Sequence, residues 1–326
     1  MAAAIRAGNK TMLSRAITLM ESGRPEDRQT ADRLLELLLP YTGGAFRVGI
    51  TGIPGAGKST FIDSLGERYA RAGHRVAVLA VDPTSRQNRG SILGDKTRMQ
   101  KLGRLENVFV RPSPGGLFGG AVNRHTRESI LLCEAAGYDR IIVETIGAGQ
   151  SDSLIDYLTD AVILLNIPGA GDELQGIKRG IMETADMILI NKADGENREA
   201  ARQAAETLRR ALLLSRGSQN AVPVMAISAL RGEGLDRVWQ QLEEMYNRRR
   251  QDGSLAQKRR EQDAYWFRHR VDELFRQFYQ SHPPLKKLYE DLSMQIRKGK
   301  ITPHAAGEQF WHAFVGYLNR EKDKKD

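Results

Sequence analysis

The sequence of 326 residues contains a single cysteine, Cys133, so no disulfide can form within the chain. Such sparse cysteine usage is typical of proteins in a reducing compartment. Cys133 lies in the run SILLCEAAG, which predicts a helix with one apolar face. Because a lone cysteine on such a face usually packs into the core, we do not expect it to be catalytic.

The sequence also lacks long apolar runs and clustered metal ligands. No run approaches the about 18 apolar residues of a membrane-spanning helix, and the start, MAAAIRAGNK, has no apolar signal-peptide core. Its six histidines are scattered, without His-x-His, and Cys-x-x-Cys is absent. We therefore expect a cytoplasmic protein with no membrane partner and no Cys/His metal centre.

The net charge of +9 is unevenly distributed. Residues 246–326 contain 18 Lys and Arg against 11 Asp and Glu, which places seven of the nine net charges there. This excess favours either a nucleic-acid surface or solvated helices. Acidic and aromatic residues are interleaved with the basic ones, and the only basic runs are RRR (248–250) and KRR (258–260). We therefore favour solvated helices and do not expect a nucleic-acid partner.

The spacing of apolar residues changes near residue 46. Before it, apolar residues three and four apart predict helices within 9–39. After it, six apolar runs that suit strands buried on both faces alternate with helical stretches: 46–50, 75–81, 140–144, 161–167, 187–191 and 222–228. This alternation predicts an α/β fold with a doubly wound, mostly parallel sheet. We assign residues 46–247 to this domain, with helical extensions at 1–45 and 248–326.

Residues 52–59 read GIPGAGKS and match the phosphate-binding pattern G-x-x-x-x-G-K-[ST]. The segment follows a predicted strand and opens a predicted helix, where successive backbone N–H groups can converge on phosphates. We expect Lys58 to reach the β- and γ-phosphates and Ser59 to bind Mg²⁺. The predicted nucleotide contacts in this P-loop are Gly52, Ile53, Pro54, Gly55, Ala56, Gly57, Lys58, Ser59 and Thr60.

Residues 191–194 read NKAD and end another predicted strand. The carboxylate of Asp194 can accept both the ring N–H and the amino group of guanine, whereas adenine presents a ring acceptor and no amino group there. At the end of the following strand, residues 228–230 read SAL, where a backbone N–H could meet the guanine carbonyl. The two motifs, in this order after a P-loop, predict that GTP is bound by Asn191, Lys192, Asp194, Ser228, Ala229 and Leu230.

Carboxylates are also predicted beside the phosphates. Asp82 and Glu144 end two predicted strands, so both should lie at the carboxyl edge of the sheet near the P-loop. Either could hold Mg²⁺ directly or through water, although Asp82 could instead cap a helix. Asp95, between glycines, is a further candidate for positioning water or metal.

Residues 144–147 read ETIG and resemble the D-x-x-G motif of GTPases, with Glu144 in place of Asp. The next residue is Ala148, where many signalling GTPases carry a glutamine that orients water. Gln150 follows two positions later and is the candidate for that role. We therefore expect slow intrinsic hydrolysis that awaits help from a partner.

In these motifs taken together, the chain resembles the MeaB/ArgK family of P-loop GTPases. The resemblance is carried by VGITGIPGAGKSTF, GSILGDKTRM, CEAAGYDRIIVETIGAGQS, PGAGDELQGIKRGIMETADMILINKADG and ISAL, and it covers nearly the whole chain. It implies a GTPase domain between an N-terminal helical arm and a C-terminal helical dimerisation arm, hence a homodimer. It also implies a chaperone of adenosylcobalamin-dependent acyl-CoA mutases, such as methylmalonyl-CoA mutase, that gates cobalamin loading, protects the mutase and helps to eject damaged cofactor.

The resemblance further implies a coupling segment. Residues Asp172, Glu173 and Lys178 resemble the family's third switch, which transmits the nucleotide state to the mutase. Two segments depart from the family pattern: Arg86 and Arg89 replace Pro and Gly after the second predicted strand, and RPSPGGLFGG (111–120) is one residue shorter.

Two alternative functions remain open. A metal-insertion GTPase, for nickel or another ion, shares this fold, but those proteins typically have the Cys/His clusters that this sequence lacks. A nucleic-acid-associated GTPase is motivated by the basic C-terminal quarter. Some members of the family carry the label of a lysine/arginine/ornithine transport kinase, a role that no motif here supports.

Overall fold

The computed structural model describes residues 1–22, 24–82, 99, 102–114, 121–145, 150–169, 179–216 and 222–322. The chain divides into two compact units, Met1–Arg260 and Glu261–Asp326. The boundaries expected from the sequence, at 45/46 and 247/248, remain a prediction.

The first unit contains a seven-stranded sheet. Its strands lie in the order β3-β2-β4-β1-β5-β6-β7, and every described pair of neighbours is parallel. They are β1 Phe46–Gly52, β2 Val76–Asp82, β3 Val108–Pro114, β4 Arg140–Glu144, β5 Ala161–Asn166, β6 Met187–Ile190 and β7 Val224–Ala226. The predicted doubly wound α/β fold is therefore confirmed.

The strand order reverses around β1, and this reversal indicates where along the sheet a ligand is expected to bind. After β1 the chain builds β2, β3 and β4 on one side and then β5, β6 and β7 on the other. At the carboxyl end of β1, Gly52 lies beside Leu165 of β5 and Ile50 beside Glu144 of β4. In open parallel sheets, ligands bind at such a reversal, outside the carboxyl ends of the strands.

Six of the seven strands were predicted, and β3 was not. This strand contains Pro112 and Pro114, which pair in register with Ala80 and Asp82 of β2. Proline has no N–H to donate, so it is tolerated chiefly on strands at the edge of a sheet. Because β3 is an edge strand, its prolines are compatible with pairing, although in the sequence they indicate a loop.

Helices surround the sheet and extend beyond it. Those of the first unit are α1 Ala2–Arg6, α2 Lys10–Glu21, α3 Pro25–Leu38, α4 Lys58–Arg71, α5 Ala121–Ala135, α6 Arg179–Thr184, α7 Arg198–Arg216 and α8 Leu235–Gln251, with 3₁₀ helices at Leu39–Tyr41, Leu102–Arg104, Gln150–Tyr157 and Gly195–Asn197. Helix α9, Ser254–Ser281, crosses the unit boundary, and α10 Pro283–Arg297 and α11 Pro303–Lys322 follow.

The two N-terminal helices predicted within 9–39 are confirmed as α2 and α3, and α1 precedes them. Helix α2 begins after Asn9, whose Oδ1 accepts a hydrogen bond from Met12 N at 3.0 Å. Helix α3 begins with Pro25 in its first turn. The Asn9 side chain pairs with one of the N–H groups that have no partner within the helix, and Pro25 has no N–H group to leave unpaired.

The core lies on both faces of the sheet. One cluster joins β1 to α4 and α8 and includes Phe46, Phe61 and Leu242. A second joins β5 and β6 to α7. Cys133 of α5 is fully buried, as predicted, and burial raises the pKa of its thiol. Within the described residues, no helix is long and apolar enough to cross a membrane.

The second unit is helical and has a small aromatic core of its own. Phe314 of α11 lies with its ring centroid 4.8 Å from that of Phe275, and Tyr279 packs with Leu285. Apolar side chains nevertheless remain exposed on its helices, among them Phe267, Val271, Leu274, Met294 and Trp311.

Candidate functional site

The P-loop connects β1 to α4 in a conformation that only glycine adopts easily. Gly52 and Gly57 have φ values of 148° and 87°. A Cβ on Gly52 would lie 2.1 Å from Leu165 O, and one on Gly57 would lie 2.5 Å from Asn191 Nδ2. Both the backbone angle and the close approach therefore require glycine at these two positions.

Lys58, the first residue of α4, has its side chain inside the loop. Its ammonium donates to Gly52 O at 2.8 Å and to Ile53 O at 3.2 Å, and the residue is buried. A buried cation is costly unless its protons are hydrogen-bonded. The loop carbonyls meet this requirement and hold the charge at the carboxyl end of β1.

Asn191 joins the two predicted motifs. Its Nδ2 donates to Ala56 O of the P-loop at 2.7 Å, and its Oδ1 accepts from Ala229 N at 2.9 Å. The residue is only 3% exposed. One side-chain amide therefore fixes three segments of the predicted nucleotide site relative to one another.

Asp194 and Ser228 lie together, as the base-recognition hypothesis requires. Ser228 Oγ donates to Asp194 Oδ2 and accepts from Arg231 N at 3.2 Å. Ala193 N donates to Ile227 O at 2.9 Å, which joins the backbones of the two motifs. The serine thereby orients the carboxylate that we predict to face guanine.

A cavity of about 530 Å³ opens between α4 and the 229–232 segment. Three predicted nucleotide residues line it: Thr60, Ala229 and Leu230. Ser64 of α4 supports one wall, because its Oγ donates to Ala229 O at 2.8 Å. The cavity therefore adjoins the 228–230 motif along α4, and its lining includes no residue of 52–59 or 191–194.

The predicted magnesium ligands are brought together in part. Ser59 Oγ lies 3.4 Å from Glu144 Oε1. Thr145 Oγ1 donates to Thr51 Oγ1 at 3.0 Å beside them. Asp82 ends the neighbouring strand β2, and its side chain is not described. In the described ranges, no group of three or more His, Cys, Asp or Glu residues has the arrangement of a metal site.

Several predicted residues lie outside the described residues. They are Asp95, Asp172, Glu173 and Lys178, together with the departures Arg86 and Arg89. Gln150 is the first residue of the 3₁₀ helix Gln150–Tyr157. The structure describes the backbone of Gln150 but not its side chain.

Two residues that support the candidate site were not predicted from the sequence. Asn166, buried at the end of β5, accepts from Asn191 N through its backbone carbonyl at 2.7 Å, and its Oδ1 accepts from Ile167 N at 2.8 Å. A polar residue that ends the apolar run AVILLN was a usable signal for it. No local pattern marks Ser64, because its partner Ala229 is 165 positions away.

The comparisons with known proteins identify the family of this chain. The family model described as methylmalonyl-CoA mutase-associated GTPase MeaB matches residues 13–283. The chain belongs to the MeaB family. As a member of this GTPase family it binds guanine nucleotide, which agrees with a P-loop joined to an NKAD motif by Asn191.

Relatives of this MeaB-family chain extend the comparison. A putative GTPase from Caulobacter vibrioides is 45% identical over 309 residues, covering 94% of this chain and 95% of that protein. The mitochondrial methylmalonic aciduria type A homolog of Mus musculus is 40% identical over 322 residues, covering 94% of this chain and 77% of that protein. The crystal structure of a LAO/AO transport system kinase is 33% identical, with a TM-score of 0.77 and 96% of each chain covered.

Proposed function

We propose that this GTPase is a chaperone that gates adenosylcobalamin loading, protection and reactivation of an acyl-CoA mutase of the methylmalonyl-CoA mutase type. The proposal is supported by the description of the family model and by the name of the mouse relative, which both refer to methylmalonyl metabolism. The geometric observation that carries the nucleotide part is the Asn191 amide, which joins the P-loop to the base-recognition segments.

In this proposal the P-loop amides and Lys58 hold the phosphates, and Asp194 accepts from guanine. The Ala229 amide already donates to Asn191 Oδ1 at 2.9 Å. Among the described residues, the Leu230 amide has no hydrogen-bond partner, so it is our candidate donor to the guanine carbonyl. Leu230 itself is 79% exposed, so its side chain is accessible for packing against the base in this proposal.

We assign Mg²⁺ to Ser59 and Glu144, with Asp82 as a further ligand directly or through water. The hydroxyl and carboxylate, 3.4 Å apart, supply the hard oxygen donors that this ion prefers. When bound, the ion would neutralise charge on the phosphate oxygens during transfer to water. Asp95 and Gln150 remain our candidates for positioning that water.

We further propose that the segment containing Asp172, Glu173 and Lys178 couples the nucleotide state to the mutase, and that the chain is a cytoplasmic homodimer. The exposed apolar side chains of α9 and α11, including Phe267 and Trp311, support pairing through the C-terminal helices. Phe267, Val271 and Leu274 are four and three positions apart, so they share one face of α9, and an exposed apolar helix face is typical of an interface.

The test is reconstitution with candidate acyl-CoA mutases from the native host. We expect one mutase to copurify with the chain, to accelerate GTP hydrolysis and to load adenosylcobalamin differently with GTP and with GDP. A mutase that neither binds nor changes the hydrolysis rate would refute the chaperone role for that partner. The GTPase activity of the chain alone is measured in the same assay, so the two parts are judged separately.

The nucleic-acid alternative is weakened, because three residues of the two basic runs are paired within the chain: Arg249 with Asp186, Lys258 with Asp156 and Arg259 with Asp160. The metal-insertion alternative has no supporting observation among the described side chains.

A further inference from the structure

The 3₁₀ helix Gln150–Tyr157 links the nucleotide edge of the sheet to the opposite edge. Its first residue follows Thr145 by five positions, and Thr145 contacts Thr51 at the end of β1. Its last residue precedes β5 by a short turn, at the amino edge. Eight residues of 3₁₀ helix rise about 16 Å, which is most of the length of a strand.

This helix packs directly on the strand that carries the P-loop. A Cβ on Gly49 of β1 would lie 2.6 Å from Ile155 Cγ1 and 2.8 Å from Thr159 Oγ1. Ile155 and Thr159 are fully buried, and Thr159 Oγ1 donates to Ile155 O at 2.8 Å. The absence of a side chain at Gly49 thus sets the distance between the helix and β1.

The segment that follows this helix, at Asp160 before β5, is held by Arg259. The carboxylate of Asp160 is fully buried and accepts from Arg259 Nε at 2.9 Å and Nη2 at 2.7 Å. It also accepts from Arg47 N at 2.8 Å, which ties the same carboxylate to β1. Bidentate charge-assisted pairs of this kind fix both distance and orientation.

Two more basic residues reach the same end. Lys258 donates to Asp156 Oδ1 at 2.7 Å, on the last turn of the helix. Arg249 donates to Asp160 O at 2.5 Å and pairs with Asp186. Arg249, Lys258 and Arg259 are called the basic cluster below, and all three belong to the first unit.

We propose that the basic cluster is a positioning element for GTP hydrolysis. By fixing the far end of the 150–157 helix against β1, it sets how deeply the near end, beginning at Gln150, approaches the phosphate edge. Tilting or sliding the helix would break these pairs. The inference rests on GTP hydrolysis by the chain alone and does not depend on the proposed mutase partner.

The test uses Lys258→Ala and Asp156→Asn, because their pair is partly exposed and water can replace the lost partner. Removing Arg259 would instead leave a buried carboxylate unpaired and risk unfolding. We expect each variant to lower kcat for GTP by about tenfold, since small misplacements of reacting groups are costly. The double variant should lose no more than either single one.

A positioning role predicts that kcat falls while KM and GDP affinity stay nearly unchanged. GDP affinity and KM should stay within about twofold, because the P-loop and NKAD contacts are untouched, and Lys258→Arg should retain kcat. The matched control is Arg210→Ala, which removes one partner of an exposed pair with Glu206 on α7 and should leave kcat unchanged.

Unchanged kcat in both folded variants would overturn the proposal. So would a parallel loss of kcat, GDP affinity and thermal stability, because that pattern indicates general destabilisation. Should Lys258→Ala not fold, Asp156→Asn gives the same decision, since it preserves the shape of the side chain while it removes the charge and turns one acceptor oxygen into a donor.

Discussion

The Asn191 side chain donates to Ala56 O at 2.7 Å, so the segment that we propose to select the base is joined to the loop that we propose to hold the phosphates. Two motifs 135 positions apart are therefore one structural unit. A substitution at Asn191 should therefore also change binding at the P-loop.

Asn191→Ala should weaken guanine-nucleotide binding by about 10- to 100-fold. The substitution leaves Ala56 O and Ala229 N buried without partners, at about 1–3 kcal/mol, and about 1.4 kcal/mol corresponds to tenfold. Titration with a fluorescent GDP analogue measures the effect, and Asn197→Ala, an exposed asparagine nearby, is the control. Equal affinity of the Asn191 variant and the wild type would contradict the linking role.

Lys58→Ala should reduce GTP hydrolysis by about 100-fold or more, because it removes the cation that the loop carbonyls hold and that we propose to bind the phosphates. Single-turnover hydrolysis with saturating GTP is the measurement. Hydrolysis at the wild-type rate would show that this segment does not act as a P-loop.

Asp194→Asn should shift the preference of the protein from GTP toward XTP. An amide offers one acceptor and one donor where the carboxylate offered two acceptors, and xanthine carries a carbonyl in place of the amino group. Competition between the two nucleotides for the same fluorescent analogue measures the shift. If discrimination is unchanged, Asp194 does not contact the base.

Lys178→Ala should separate hydrolysis from communication. We expect basal GTP turnover within a few-fold of the wild type, with loss of stimulation by the mutase and of the GTP/GDP difference in cobalamin transfer. A coupling residue must make different contacts in the two nucleotide states, since equal contacts bias neither. Retention of both partner effects would move the coupling to another segment.

Cys133 should resist thiol reagents in the folded protein at pH 8. Its side chain is fully buried, and burial raises the pKa of the thiol, so the reactive thiolate is scarce and inaccessible. Maleimide labelling followed by mass measurement should show no adduct until denaturant is added. Rapid labelling of the native protein would place the thiol at the surface instead.

The sequence predicted those strands that are buried on both faces of the sheet, because such strands consist of unbroken apolar runs. The strands β1, β2, β4, β5 and β6 flank the reversal and are of this kind. It failed at β3, because the prolines of an edge strand have the same appearance in sequence as those of a loop. Only pairing with β2 distinguishes the two cases.

The sequence by itself predicted the chemistry of the site, because the residues that we propose for phosphate and guanine recognition lie within short segments, 52–59 and 191–194, whose spacing is local. The tertiary structure decided which distant groups meet. It brought Arg259 into contact with Asp160, which is 99 positions away in the sequence. Arg259 belongs to a basic run that could have formed a nucleic-acid surface, but in the folded protein it forms an internal ion pair. Charge pairing depends on distances of a few ångströms in space, and these are set by how the strands and helices pack rather than by their order in the chain.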